Sequence, residues 1–254
     1  YFDLVVCDEA HHSISESWRE TLSRFDGHAK VLGVTATPDR GDRRNLGEYY
    51  EHVAADVRLI DLINQGYLSR IVVEMLPLEI DLRRVSQTAG DYDSGQLSDA
   101  LEPYLEAIAA SLVERSSFRK VLCFLPLIRT SKMFVDACRM AGINAEHIDG
   151  DSPDRAEKLS RFKRGEFNLL SNAMLLTEGY DEPTIDSICI LRFTRSRALH
   201  AQMLGRGTRI CDGKENLQVL DFLRLLTVHS VCRPAHLVAK SESDADTITE
   251  VFRS

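Results

Sequence analysis

Asp8 and Glu9 stand side by side behind an apolar run, Leu4-Val5-Val6-Cys7, with Ala10 and His11 directly after them. Adjacent carboxylates at the carboxyl end of a buried strand lie in the crevice where open α/β sheets take their ligands. Magnesium binds hard oxygens, one or two carboxylates plus phosphate oxygens. That makes Asp8 a candidate ligand and Glu9 a candidate to orient or deprotonate water. In isolation the same residues also read as an acidic loop capping a helix near Ser13 or Ser15. Downstream, Val34-Thr35-Ala36-Thr37-Pro38 closes a second apolar run. Hydroxyls at a strand end can bond to a neighbouring carboxylate, and Pro38 turns the chain away from helix. Without context, Thr37-Pro38-Asp39-Arg40-Gly41-Asp42 is simply a turn.

Two further groups follow, Leu176-Thr177-Glu178-Gly179-Tyr180-Asp181-Glu182-Pro183 and Gln202-Met203-Leu204-Gly205-Arg206-Gly207-Thr208-Arg209. Gln202, Arg206 and Arg209 fall at i, i+4 and i+7, one face of a helix. An amide and two guanidiniums in a row suit a polyanion, and arginines of this kind stabilise charge on a transferring phosphoryl group. A solvated basic helix face is the plain alternative. Gly205 and Gly207 count against it, because glycine is a poor helix former and marks close backbone approach.

The elements that must carry these residues alternate along the chain. Apolar runs predict strands over 2–8, 30–35, 71–80, 120–125, 143–148, 167–171, 187–192 and 217–222, and amphipathic spacing predicts helices over 15–24, 97–115, 130–141, 153–164 and 197–206. From residue 120 onward strands and helices take turns with short loops, the pattern of βαβ units and a parallel sheet covered on both faces. The polar, Gly-containing stretch around Ser86 to Gly95 reads as a joint between domains.

Taken together and in order, Asp8-Glu9-Ala10-His11, Thr35-Ala36-Thr37, Thr177-Glu178-Gly179-Tyr180-Asp181 and Gln202 to Arg209 resemble motifs II, III, V and VI of the superfamily 2 DEAD/DEAH-box helicases. The wording of T-A-T-P-x-R-G-D, L-T-E-G-Y-D-E-P and Q-M-L-G-R-G-T-R is similar to the group holding restriction-enzyme motor subunits and repair helicases of the xeroderma group B type. Phe193 departs from the proline expected in near relatives. The resemblance implies an α/β fold of RecA-like parallel sheets with helices on both faces, one partial lobe followed by one complete lobe. Residues 1–80 would be the end of lobe one, 81–98 an interlobe linker and 99–254 lobe two. It further implies an ATP-dependent helicase or translocase moving on nucleic acid, DNA by analogy, with ATP and Mg²⁺ as nucleotide and cofactor. In that scheme Asp8 coordinates Mg²⁺ and Glu9 activates the attacking water. His11 couples the site to the other lobe or to Gln202. Gly179 and Asp181 approach the ribose or the arginines, and Gln202 the γ-phosphate. Arg206 and Arg209 act as arginine fingers, Thr35 and Thr37 relay nucleotide state, and Thr177 contacts a nucleic-acid phosphate.

One expected part is missing. A Gly-rich loop, G-x-x-x-x-G-K-[ST], cradles nucleotide phosphates with its amides. The segment from Gly207 through Gly213-Lys214-Glu215 is one residue too long, ends in Glu where a hydroxyl belongs and follows no strand. The chain also opens on Tyr1 with no turn before its first strand. The expectation is therefore a fragment that begins within lobe one, hydrolyses no ATP alone and exposes the edges of its first strands. The alternative is a truncated, non-hydrolysing module that binds nucleic acid or a partner through lobe two.

Composition sets the remaining limits. The chain has 254 residues, 44% hydrophobic and 28% charged, with 31 Lys and Arg against 39 Asp and Glu for a net charge of −8. No overall positive field draws in nucleic acid, so contacts must be local. No apolar run reaches the ~18 residues of a membrane span. Six scattered cysteines suit reduced core thiols and a cytoplasmic location. His229, Cys232 and His236 have zinc-ligand character but lack a fourth partner. The acidic Ser241 to Asp246 is a solvated end.

Overall fold

Val121, Leu122, Cys123 and Phe124 are all completely buried, and this short strand explains the main body of the molecule. Successive side chains on a strand point to opposite faces. Val121 and Cys123 enter one apolar cluster and Leu122 and Phe124 another, so a layer of structure must cover each face. The computed structural model describes residues 2–36, 46–78, 80–88, 90–116, 119–177, 179–223 and 244. Thr37, Glu178, His229, Cys232 and His236 lie outside them, as does the acidic end apart from Asp244.

The chain order is β1 (Leu4–Cys7), α1 (Glu16–Ser23), β2 (Lys30–Gly33), α2 (Leu59–Asn64) and β3 (Ile71–Leu78), then a small hairpin of β4 (Gln87–Thr88) and β5 (Asp91–Tyr92). Next come α3 (Ser94–Leu101), α4 (Leu105–Ser116), β6 (Val121–Phe124), α5 (Ile128–Met140), β7 (Ala145–Ile148) and α6 (Arg155–Lys163). The order finishes with β8 (Leu169–Asn172), β9 (Ser187–Ile190), α7 (Arg197–Gly205) and β10 (Leu217–Leu223). Six strands form one parallel sheet in the order β3-β10-β9-β6-β8-β7, while β1 and β2 form a separate parallel pair. Leu97, Leu101, Ile108 and Leu112 of α3 and α4 join Phe134 and Cys138 of α5 on one face of the large sheet. Phe162 of α6 and Met203 and Leu204 of α7 close the other. This six-stranded parallel sheet flanked by helices has the architecture of a RecA-like helicase lobe.

Three particulars differ from the sequence expectations. The helix expected over 97–115 is two helices, because Glu102-Pro103-Tyr104 forms a 3₁₀ turn where Pro103 withholds an amide. Strand β3, read above as part of lobe one, pairs with β10 along Leu217↔Ile71 to Leu220↔Glu74. The stretch read as a linker is packed into the large sheet's core through Leu82, Val85, Tyr92 and Leu97. Those apolar residues are spaced too irregularly among polar ones to show a strand or helix period. The passage from one sheet to the other therefore falls between Gly33 and Ile71.

Candidate functional site

Pairing between β1 and β2 runs Leu4↔Lys30 to Cys7↔Gly33 and is extended beyond the strands by the Val34 amide donating to the Cys7 carbonyl at 2.8 Å. The Ala10 amide then donates to the Val34 carbonyl at 2.9 Å, which sets Asp8-Glu9 beside Val34-Thr35. Glu9 makes the turn in the left-handed region, φ 49 and ψ 47. For a non-glycine residue such a conformation costs on the order of 1–3 kcal/mol and is typical of functional turns. Its amide donates to Asp8 Oδ1 at 2.9 Å, and the Asp8 side chain is exposed. His11 is buried, with Nδ1 3.1 Å from Thr35 Oγ1 and 3.3 Å from Glu9 Oε2. The imidazole thus joins the carboxylate turn to the threonine segment, a different pairing from the expected one with Gln202 or the other lobe. Behind it the Tyr50 ring lies on Gly33, where a Cβ would come within 2.5 Å of the ring, and the Tyr50 and Ser13 hydroxyls share a hydrogen bond of 2.8 Å.

The second group is arranged by a consequence of the parallel sheet. Strand β8 ends at the carboxyl edge and β9 begins at the amino edge, so residues 173–186 must run from one edge to the other, and they do so without a helix among the described residues. Buried Asn172 starts this crossing, its Nδ2 donating to the Cys123 carbonyl at 2.9 Å and its Oδ1 accepting the Leu176 amide at 3.1 Å. Thr177 is buried, with its hydroxyl donating to the carbonyl of left-handed Met174 at 2.7 Å. Gly179 turns at φ +70. The Tyr180 carbonyl then accepts from Arg206 Nη1 at 2.9 Å and Arg209 Nη1 at 3.4 Å, and Arg209 Nη1 also lies 3.1 Å from Asp181 Oδ1.

Gln202, Arg206 and Arg209 do not share a helical face. Helix α7 ends at Gly205, leaving Gln202 on the helix, Arg206 as its C-cap and Arg209 in the following loop. The glycines explain the stop. A Cβ on Gly207 would run into the Leu217 side chain and come within 3.0 Å of Ile188 Cγ1, the close approach that glycine signals. The guanidiniums meet on the Tyr180 carbonyl instead. Ser69, which sequence reasoning missed, holds their loop from the other side: its amide donates to the Thr208 carbonyl at 2.7 Å and its hydroxyl to the Arg209 carbonyl at 3.0 Å.

A buried polar chain elsewhere in the large sheet was also invisible in the sequence. Ser171, Ser131, His147 and Asp149 follow one another at 2.7 Å, 2.7 Å and 3.0 Å. Asp149 faces Nε2, so that nitrogen carries the proton and Nδ1 accepts from the Ser131 hydroxyl. The order of residue types is that of a hydrolase triad, but Ser131 and Ser171 are fully buried and no substrate reaches them. Burial pulls the His147 pKa down, and His147 together with Ser152 holds the Asp149 carboxyl well below the usual carboxylate range. The chain fastens α5 and β8 to the loop that starts α6.

Among the described residues no group of three or more acidic, His or Cys side chains is arranged to hold a metal by itself. Asp8 nevertheless fits Mg²⁺, since that ion uses one or two carboxylates and takes its other ligands from phosphate and water. No helix in these residues is long and apolar enough to cross a membrane.

Comparison with known proteins gives this arrangement its kin. Residues 103–211 match the helicase conserved C-terminal domain, and residues 1–40 match the type III restriction enzyme, res subunit. The chain is 29% identical over 253 residues to IRC3 of Saccharomyces cerevisiae, named there as a candidate ATP-dependent helicase, covering 94% of this chain and 37% of that one. It is 26% identical to the type I restriction enzyme EcoAI endonuclease subunit of Escherichia coli, covering 87% of this chain and 32% of that one. A fragment of a candidate HsdR subunit of a type I restriction enzyme from Vibrio vulnificus shares the fold with a TM-score of 0.70 and 26% identity, over 87% of this chain and 43% of that chain. The chain thus spans well under half the length of these relatives. With the two matched segments in this order on this fold, the chain is similar both to ATP-dependent helicases and to the motor subunits of restriction enzymes.

Proposed function

We propose that residues 1–254 carry the water-activating and arginine-finger parts of a DNA-dependent ATPase motor, a helicase or translocase. The carrying observation is the convergence of Arg206 and Arg209 on the Tyr180 carbonyl at the amino edge of the sheet. Two guanidiniums gathered on one carbonyl, with Arg209 also against Asp181, form a donor set of the kind that suits phosphate. That edge lies opposite the usual carboxyl-end crevice, so the arginines suit a nucleotide presented by another lobe.

In this reading Asp8 would hold Mg²⁺, which would supply charge neutralisation at the phosphates when bound. Glu9 orients the attacking water, and His11 passes the state of that turn to Thr35. Thr177 and the start of the crossing segment, at the carboxyl edge of the sheet, face the polymer, while Gly179, Asp181 and Gln202 serve the nucleotide side. Lobe one would end between Gly33 and Ile71, and a phosphate cradle would come from residues outside 1–254. The five free cysteines among the described residues, four of them buried, support a reducing compartment.

The test is ATP hydrolysis by the full-length protein containing this chain, with single-stranded DNA, duplex DNA and RNA. DNA should stimulate turnover, Glu9→Gln should abolish it while nucleotide still binds, and Arg206→Ala should lower it by about 10³-fold or more. Absence of stimulation by every polymer overturns the reading, and DNA binding without hydrolysis transfers it to the binding module.

A further inference from the structure

Gly213-Lys214, dismissed above as a phosphate loop, occupies another position of consequence. Gly213 turns in the left-handed region at φ +82 and Lys214 folds inward from that turn. Its Nζ lies 2.6 Å from the Ile185 carbonyl, 2.6 Å from Gly207, 2.7 Å from Arg209 and 3.3 Å from Pro183. An ammonium has three hydrogens. The three short contacts use all of them, and the longer Pro183 contact completes a cage of main-chain oxygens around the charge. The Cys211 thiol donates to that same Pro183 carbonyl at 3.4 Å.

Ile185 and Pro183 belong to the end of the segment that presents Tyr180 and Asp181. Gly207 lies between the two arginines, and Arg209 is one of them. The ammonium therefore joins the acceptor segment to the arginine loop at the level of the backbone. With Ser69 on the Thr208 and Arg209 carbonyls and the Thr208 hydroxyl on Gly205 at 3.0 Å, the carbonyls of Gly205, Gly207, Thr208 and Arg209 are all occupied.

We propose that Lys214 is a positioning residue: its caged ammonium fixes residues 205–209 against 180–185 and so sets where Arg206 and Arg209 point. The catalytic consequence rests on the arginine-finger reading above, whereas the structural one does not. Removing the charge leaves part-buried carbonyls without a donor, and they regain hydrogen bonds only by moving the loop toward water. A shift of about 1 Å in a charge-stabilising group is enough to cost on the order of 10²-fold in rate.

Two measurements on the full-length protein decide it. Backbone hydrogen exchange compares wild type with Lys214→Met. Amides in 179–186 and 205–213 should exchange about 10-fold faster or more, while those of β6 and β8 stay unchanged. In DNA-stimulated hydrolysis, Lys214→Met should lower kcat by about 10-fold to 100-fold and move the KM for ATP less than about threefold. Lys214→Ala should recover both readouts with propylammonium, which replaces the missing side-chain atoms, and should not recover with propanol or tetramethylammonium at equal concentration. Unchanged exchange in the two segments, or acceleration spread equally through the large sheet, overturns the proposal. So does a kcat within twofold of a hydrolysing wild type, or recovery with tetramethylammonium as good as with propylammonium. If Lys214→Met does not fold, Lys214→Ala with and without propylammonium decides the case. If wild type hydrolyses no ATP with any polymer, the motor reading fails, and the exchange measurement still tests Lys214.

Discussion

A buried imidazole that donates to a carboxylate on one side and accepts from a hydroxyl on the other has one acceptable protonation state. For His147 it is the neutral one, since burial lowers its pKa below the ordinary value of 6.5. As pH falls through 6.5 the unfolded chain takes up this proton first, so the unfolded state gains protons relative to the native state and stability drops. Asp149 is displaced in the same direction for a different reason: hydrogen bonds from His147 and Ser152 hold its pKa down, so its contribution is complete above the ordinary value of 3.8 and lost as pH falls through its lowered native value. Urea unfolding should therefore give a lower free energy at pH 5.5 than at pH 7.5, with a shallower difference in His147→Asn. Equal slopes in the two proteins would remove His147 from the account. At this scale the site residues were legible by type, because Asp8, Glu9, Arg206 and Arg209 advertise charge chemistry in any context. The left-handed backbone of Glu9 was not, since no sequence rule places a glutamate there. Nor was the Ser131-His147-Asp149 chain, whose members sit on different elements.

Elements were legible where burial is two-sided. Strands such as Val121–Phe124 and Leu169–Leu170 are apolar throughout because both faces are covered, and their runs gave them away. The hairpin of β4 and β5 has two-residue strands of Gln, Thr, Asp and Tyr, so it lacks a run of any period. It docks through Asp91, whose Oδ2 accepts the Thr194 hydroxyl at 2.7 Å and Oδ1 the Arg195 amide at 2.9 Å, contacts between residues a hundred positions apart. Helix α7 illustrates the boundary problem. Its start is written in Ser196, whose side chain accepts the Leu199 amide, whereas its stop at Gly205 defeats the i, i+4, i+7 spacing on which the arginine face depended. Ser196→Ala should cost about 1 kcal/mol and lower Tm by about 2–4 °C in a thermal melt, because the first turn loses its cap while the helix still buries Met203 and Leu204. A melt unchanged within error would show that other contacts fix this terminus.

At the scale of the molecule the two sheets have unequal cover. Among the described residues the six-stranded sheet is packed on both faces, but β1 and β2 are packed on one. Val5, Cys7 and Val31 turn toward Leu22, Ala10 and the Tyr49–Tyr50 pair. The opposite face exposes Leu4 at 53%, Val6 at 56%, Leu32 at 40% and Val34 at 42%. Contiguous apolar side chains of this kind promote self-association. In the 254-residue chain, Val6→Lys should reduce binding of a hydrophobic dye and the light scattering of concentrated samples, with stability changed by no more than about 0.5 kcal/mol. Undiminished dye binding would locate the sticky surface elsewhere. The crossing segment 173–186 has a different consequence. It is nailed down at one end by Asn172 and at the other by the Lys120 amide donating to Asp186 Oδ1 at 2.8 Å. With no helix to absorb slack, its length works as a ruler. Inserting or deleting a single residue would slide Thr177 against Asp181, and so throw the two ends of the sheet out of step with each other while leaving every strand in register.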